Sequence, residues 1–240
     1  MPGYGTFLSY CWRDADHFPA ERRMGWYALG AAAIVGVFTY LAYWGFLVDL
    51  PGFEARVGPH LPSAVVATVA VAGAVWHLKG VRRDLSESAG MMAGMTFGML
   101  AGFLAGYHVG ATNGMFTGSA YGVLVGMIVG WFVGDCCATM GRMEGLMAGL
   151  MSGIMGAMTA VMLLNDRIQW FTPILLVASL VILSGMTYLA HREHRERQGI
   201  EVVFNDRARF LPFTTACFLV TAITVSIMAF GPKSVLFLGF

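Results

Sequence analysis

Long apolar stretches, separated by short polar connections, follow one another along almost the whole chain. A transmembrane helix needs about 20 mostly apolar residues, because each residue adds about 1.5 Å and the hydrocarbon core is about 30 Å thick. Seven stretches meet this requirement, which predicts an all-α integral membrane protein with a single transmembrane domain over residues 1–240. We place the spans near residues 25–48, 61–79, 89–109, 115–135, 144–163, 172–190 and 211–231.

The positively charged residues predict the orientation of these spans. Connections on the cytoplasmic side of a membrane carry an excess of lysine and arginine. With the amino terminus inside, the inner segments, including residues 1–24 and the polar loop 191–210, contain 12 of the 15 lysines and arginines. We therefore expect an inner amino terminus and an outer carboxyl terminus, in a bacterial or archaeal cytoplasmic membrane.

The amino-acid composition excludes several functional classes of protein. Hydrophobic residues make up 57% of the chain and charged residues 12%, about half the charged share of a soluble domain. The formal net charge is only +1, so we expect no nucleic-acid partner. No ionisable side chain lies near the middle of a predicted span, and no recognised catalytic motif occurs. We expect neither an ion-coupled carrier nor an enzyme.

Glycines recur at every fourth residue along the centre of the chain. Between residues 90 and 134 all twelve glycines share this register, which resumes after a phase shift at Gly141. Small residues let helix backbones approach closely in a membrane. We expect the third to fifth spans to form a packed centre of glycine-zipper type, with its packing positions at Gly94, Gly98, Gly102, Gly118, Gly122, Gly126, Gly130, Gly145, Gly149 and Gly153.

The glycine register also runs through residues 107–114, where we expect a turn between the third and fourth spans. Packing within a single helix does not explain a register that crosses a turn, so internal repetition is one interpretation. The third and fourth spans would then be similar units inserted in opposite directions, with the fifth parallel to the third. The alternative is a glycine-rich sequence that serves packing alone.

Methionines lie on helix faces away from the glycines. Met147, for example, is two residues, or about 200°, from both Gly145 and Gly149. A thioether is a soft donor that suits Cu(I), although methionine also fills irregular gaps beside glycines. The candidate metal ligands are Met91, Met95, Met99, Met147, Met151 and Met155, the inner cysteines Cys136 and Cys137, and His108, which we expect at the outer surface together with His60.

The methionine and glycine spacings also resemble a known family. The Met-x-x-x-Met stripes at Met91, Met95, Met147 and Met151, combined with Gly-x-x-x-Gly packing, are similar in kind to the copper-uptake transporters. The resemblance covers only the methionine and glycine positions of two or three helices. Chains of that family have fewer spans, so we infer neither membership nor mechanism from it.

Two functions follow from these patterns. In the first, the protein transports or handles a soft metal ion, with copper as the candidate: outer histidines collect it, methionines conduct it, and Cys136 with Cys137 receive it. In the second, the chain is a non-catalytic structural subunit or scaffold of a larger membrane complex. Its glycine faces would then pack against other copies of the chain or against other membrane subunits.

Overall fold

The computed structural model describes residues 19–42, 44–45, 57–81, 86–135, 138–198 and 207–233. Within these ranges the chain is almost entirely helical and contains no strand. Helices α2 to α7 are long and apolar enough to cross a bilayer, which confirms the all-α membrane class. The helices are α1 Pro19–Ala42, α2 Leu61–Val81, α3 Glu87–Asn113, α4 Met115–Gly134, α5 Ala138–Leu163, α6 Ile168–Gln198 and α7 Arg207–Phe230.

Helix α1 differs from the other six in the length of its apolar part. That part runs from Gly25 to Leu41, which is shorter than the membrane-length stretch found in each of the other helices. The predicted first span, 25–48, continues beyond Gly45 into residues that the structure does not describe. The described ranges therefore contain six membrane-length helices and one shorter apolar helix.

The predicted turn over residues 107–114 was wrong, because the helix continues to Asn113 and only Gly114 separates α3 from α4. The φ angle of Gly114 is 103°, a left-handed conformation that glycine adopts without a Cβ clash. The polar character of this segment reflects buried hydrogen bonding. Thr112 Oγ1 donates to Asn113 Oδ1 at 2.7 Å, and Asn113 Nδ2 donates to the Ile227 carbonyl of α7 at 2.8 Å.

Three glycine stripes meet along the axis of a bundle formed by α3, α4 and α5. A methyl carbon added to Gly126 would lie 2.8 Å from Gly149 Cα and 2.9 Å from Gly102 Cα, closer than real Cβ atoms approach other atoms. The close approaches group into five layers, each with one residue from each helix. The layers are Gly94/Gly134/Gly141, Gly98/Gly130/Gly145, Gly102/Gly126/Gly149, Gly106/Gly122/Gly153 and Gly110/Gly118/Ala157.

The order of the layers gives the helix directions. From the first layer to the fifth, the residue numbers rise in α3 and fall in α4, so these two helices are antiparallel. Along α5 the numbers rise together with those of α3, so α5 is parallel to α3. Successive layers are four residues apart, or about 6 Å along the axis.

This arrangement corrects the idea that the glycine faces serve partner proteins. The faces of α3, α4 and α5 are buried against one another within the chain, and Gly122 and Gly126 lie in the interior of the bundle. A stripe of small residues brings three backbones together, so no room remains on that face for another subunit.

The remaining helices join this bundle through α3 and, less extensively, through α4. A cluster of buried apolar residues that includes Ala67 of α2, Val133 of α4 and Leu183 of α6 connects α2, α3, α4 and α6. A second cluster, which includes Val35, Val69 and Phe213, connects α1, α2 and α7. Helix α5, by contrast, packs extensively only against α3 and α4 among the described helices.

Helix α5 also begins earlier than predicted, at Ala138 rather than near residue 144. Its first turns include Arg142, whose Nε donates to Asp135 Oδ1 at 2.6 Å across the α4–α5 connection. The Arg142 guanidinium carbon also lies 5.2 Å from the centre of the Trp131 ring. These contacts connect the first turns of α5 to the end of α4.

The glycine layers predict the effect of adding one methyl group. Gly126→Ala should lower the free energy of unfolding by at least about 2 kcal/mol, because the obstructing atoms at Gly102 and Gly149 are backbone and cannot rotate away. The measurement is reversible unfolding in a bilayer mimetic.

Gly73→Ala provides the matched control for this prediction. A methyl group at Gly73 meets only Ala28 Cβ at 3.8 Å and Phe213 Cζ at 3.9 Å, which are ordinary contacts. Alanine favours helix over glycine by about 1 kcal/mol, so this variant should be as stable as the parent or more stable. Equal stabilities of Gly126→Ala and Gly73→Ala would contradict the layered packing.

Candidate functional site

The methionines of α5 form a continuous exposed surface. Met147 is 68% exposed, whereas its neighbours Gly145 and Gly149 are buried. Because α5 packs only on its glycine side, the opposite side carries the sulfur atoms. We call this surface the methionine face; it comprises Met140, Met143, Met147, Met151, Met155, Met158 and Met162, all exposed.

The methionines of α3 do not line an internal path with those of α5. Met95 and Met99 are exposed at the surface of the bundle, and Met91 is half-buried. The glycine stripes occupy the axis between α3 and α5, so the thioethers point away from it. The structure thus places the predicted ligands of α3 and α5 on outer surfaces.

The cysteines fall into two groups. Cys136 and Cys137, the predicted inner ligands, lie outside the described residues, between α4 and α5. Cys217 is a free, fully buried cysteine in the apolar cluster that connects α1, α2 and α7. It behaves there as a small apolar side chain.

His108 is buried, so its predicted position at the outer surface was wrong. Only 2% of the residue is exposed, and it lies in the continuous helix α3. Its Nδ1 lies 2.7 Å from the Leu104 carbonyl oxygen, and its Nε2 lies 3.1 Å from Ser63 Oγ. A carbonyl oxygen can only accept, so Nδ1 carries the hydrogen; in the neutral ring, Nε2 is then an acceptor.

Ser63 connects His108 to His60. Its Oγ lies 2.8 Å from the His60 carbonyl oxygen and 3.1 Å from His108 Nε2, and because both of these atoms are acceptors, they share the single hydrogen of the hydroxyl. His60 is also buried, with 6% of its surface exposed, and its Nδ1 has no hydrogen-bond partner within the described chain. The two histidines predicted as separate surface groups therefore belong to one buried polar cluster.

Tyr107 extends the cluster towards α6. Its hydroxyl lies 2.9 Å from Thr172 Oγ1, and Thr172 Oγ1 lies 2.9 Å from the Ile168 carbonyl. The single hydrogen of Thr172 goes to the carbonyl, so Tyr107 is the donor to Thr172. These bonds tie α3 to α6 near the Gly114 end of the bundle.

Two cavities adjoin the cluster on different sides. A cleft of about 340 Å³ lies between α2 and α6, and His60, Ser63 and Thr172 are among its lining residues. A second cavity of about 240 Å³ lies between α2, α3, α4 and α7, with His108 at its wall. We call the second cavity the alanine groove, after Ala64, Ala67, Ala72, Ala101, Ala105 and Ala216 in its walls.

The described residues do not assemble an ordinary metal site. Among them, no three histidine, cysteine, aspartate or glutamate side chains come together closely enough to hold an ion. The soft donors that remain are the thioethers of the methionine face, which are exposed along α5.

Comparison of the chain with protein-family models, with curated proteins and with solved structures found no match.

Sequence reasoning missed the residues that hold the polar cluster together, notably Ser63, Tyr107 and Thr172. Each is an isolated polar residue within an apolar stretch, and such residues commonly bond to their own helix. One signal was available: His108 lies only six residues before Gly114, and Ser63 lies near the start of α2. Polar residues near helix ends at matching depths are candidates for contact.

The cluster predicts that Ser63→Ala destabilises the protein. The substitution leaves His108 Nε2 buried without its partner, which should lower the free energy of unfolding by about 1 to 3 kcal/mol. Ser226→Ala is the matched control, because Ser226 is an exposed serine on α7 and its loss should change stability by less than about 0.5 kcal/mol. Equal effects of the two variants on reversible unfolding would argue against a structural His108–Ser63 bond.

Proposed function

We propose that this protein is a non-catalytic structural subunit of a membrane assembly in which copies of the chain associate through the methionine face. The observation that carries the proposal is the peripheral position of α5. This helix is fixed to α3 and α4 by glycine packing and presents its opposite face, rich in methionine, to whatever surrounds the chain.

The composition of α5 supports a protein contact rather than a lipid contact. Helix α6 also has a long exposed apolar face, but its exposed large apolar side chains include no methionine; they are Trp170, Ile174, Val177, Leu180, Val181 and Ile182. On α5, seven exposed side chains are methionines. Flexible thioether side chains are favoured at adaptable protein-binding surfaces.

The glycine bundle gives this surface a rigid base. Because three backbones are in contact at each layer, α5 cannot rotate about its own axis without a steric clash. The methionine side chains can therefore adapt to a partner while the helix below them stays in place. A scaffold needs this combination of a fixed frame and an adaptable surface.

The orientation predicted from the positive charges assigns the two ends of the bundle to the two sides of the membrane. With the amino terminus inside a bacterial or archaeal cytoplasmic membrane, Gly114 and the polar cluster face outward. The α4–α5 connection, with Asp135 and Arg142, then lies at the inner side.

Cysteine cross-linking tests the association between copies. In a background without native cysteines, Met147→Cys should give disulfide-linked dimers on oxidation in lipid bilayers, since a face that contacts its own copy brings equivalent positions together. The dimer fraction on a non-reducing gel is the measurement.

Val181→Cys, on the exposed face of α6, is the matched control and should remain monomeric under the same conditions. The protein must be diluted in lipid so that random collisions are rare. Monomers for both variants, or equal dimer fractions for both, would refute association through the methionine face.

A second candidate, handling of a soft metal ion such as Cu(I), is favoured by one specific observation. The side chains of Met143, Met147, Met151 and Met155 are all exposed along one side of α5 at four-residue spacing. Side chains at that spacing are neighbours on a helix, so adjacent thioethers can share an ion. In the sequence, Cys136 and Cys137 immediately precede α5.

Silver binding tests this candidate, because Ag(I) is a redox-stable substitute for Cu(I). Replacing Met143, Met147, Met151 and Met155 together by leucine keeps the face apolar and removes the sulfur, so Ag(I) binding measured by calorimetry should be lost. Met228→Leu, at a fully buried methionine outside the face, is the control and should bind as the parent does. Unchanged binding in the fourfold variant would exclude the methionine face as the ion site.

A further inference from the structure

The alanine groove is long, and its polar groups gather towards one end. Its α2 wall extends from Ala64 to Trp76, which is twelve residues or about 18 Å at 1.5 Å per residue. This is more than half of the roughly 30 Å hydrocarbon thickness of a bilayer. Most of the wall consists of alanine and valine, so it offers an apolar surface to a chain-shaped molecule.

The polar end of the groove lies at the Gly114 end of the bundle. His108, Tyr121 and Thr224 line it there, and Thr68 lies about one helical turn further along the wall. Asn113 Nδ2 donates to the Ile227 carbonyl at 2.8 Å, which places the nearby Thr224 at the same end. The cavity therefore has the polarity of an amphiphile, with a polar head position and an apolar tail position.

The hydrogens of the hydroxyl groups at this end are already used. Thr68 Oγ1 donates to the Ala64 carbonyl at 2.8 Å, and Thr224 Oγ1 donates to the Val220 carbonyl at 2.8 Å. Because Thr224 has no second hydrogen, the 2.7 Å contact between Tyr121 and Thr224 uses the hydrogen of Tyr121.

The same count applies to His108, whose Nδ1 hydrogen goes to the Leu104 carbonyl. None of these four polar side chains therefore has a free hydrogen to donate in the neutral state. A head group that fits this end must donate a hydrogen bond, since a carbonyl or ether would find no donor among them.

We propose that the alanine groove binds a hydroxyl-bearing lipid, with its hydrocarbon tail along the alanine and valine walls and its hydroxyl donating to Tyr121 or Thr68. Both a prenylated hydroquinone and a monoacylglycerol have this chemistry. The proposal does not depend on association through the methionine face, because the groove lies between α2, α3, α4 and α7, and α5 contributes nothing to its lining.

Photolabelling of the full chain tests the proposal in phosphatidylcholine nanodiscs, whose lipids have no hydroxyl donor. The probe is a straight-chain fatty alcohol of matching length with a diazirine in its tail, and the matched probe is its methyl ether. The alcohol should label groove residues such as Val71 and Ala216 at least about threefold more than the ether, the difference expected from one hydrogen bond in a membrane.

Substitutions in the groove, with a control on α6, locate the labelling. Ala216→Phe places a large side chain in the groove and should abolish labelling of the groove by the alcohol, whereas Ala178→Phe, on the exposed face of α6, should leave it unchanged. If Ala216→Phe folds poorly, Ala105→Leu on the α3 wall provides a second block. Tyr121→Phe should remove most of the preference for alcohol over ether.

Competition distinguishes the source of the hydroxyl. Displacement of the probe by a prenylated hydroquinone or by a monoacylglycerol supports the proposal and identifies the head group. Equal labelling by alcohol and ether, labelling that Ala216→Phe and Ala105→Leu do not reduce, or failure of both competitors would overturn it.

Discussion

Contact between three backbones, with no side chain between them, is the constraint on which the rest of the structure depends. Hydrophobic burial does not drive helices together in a bilayer, because lipid tails are as apolar as the side chains. Attraction must come from dispersion, which falls away steeply when surfaces separate. Glycine at the axis of α3, α4 and α5 allows the closest approach, and the bulk of these helices is displaced to the outside. The exposed methionines of α5 follow from this geometry.

The general class and the main helices were predictable because they depend on local properties. The length of an apolar stretch determines whether it can cross a bilayer, and glycine spacing defines one side of a helix irrespective of its partner. The glycine pattern also predicted that α3, α4 and α5 pack together at the centre, but it left open whether the same sides contact a partner chain, because a stripe of small residues suits a partner equally well. That choice depends on the directions of three helices and on their connections.

The turn and the histidines were misjudged for a related reason. Residues 107–113 contain histidine, threonine and asparagine, which in isolation favour a loop at the membrane surface. In the structure their polar atoms are satisfied by carbonyl groups and by Ser63, so the helix continues. Such long-range partners, 45 residues away for Ser63 and 114 for Ile227, leave no local trace in the sequence. For helix α1, the predicted span 25–48 extends into residues that the structure does not describe, so its full length stays a prediction.

The connection by Gly114 alone has a consequence for how the hairpin of α3 and α4 can change in evolution. One inserted residue in either helix would rotate everything beyond it by about 100° and shift it by about 1.5 Å, turning the glycines beyond the insertion away from the axis. Only insertions or deletions of about four residues preserve the stripe, and they must occur in both helices and in α5 together. The bundle can therefore adjust to a thicker or thinner bilayer only by whole layers, through coordinated changes at three separate places in the gene.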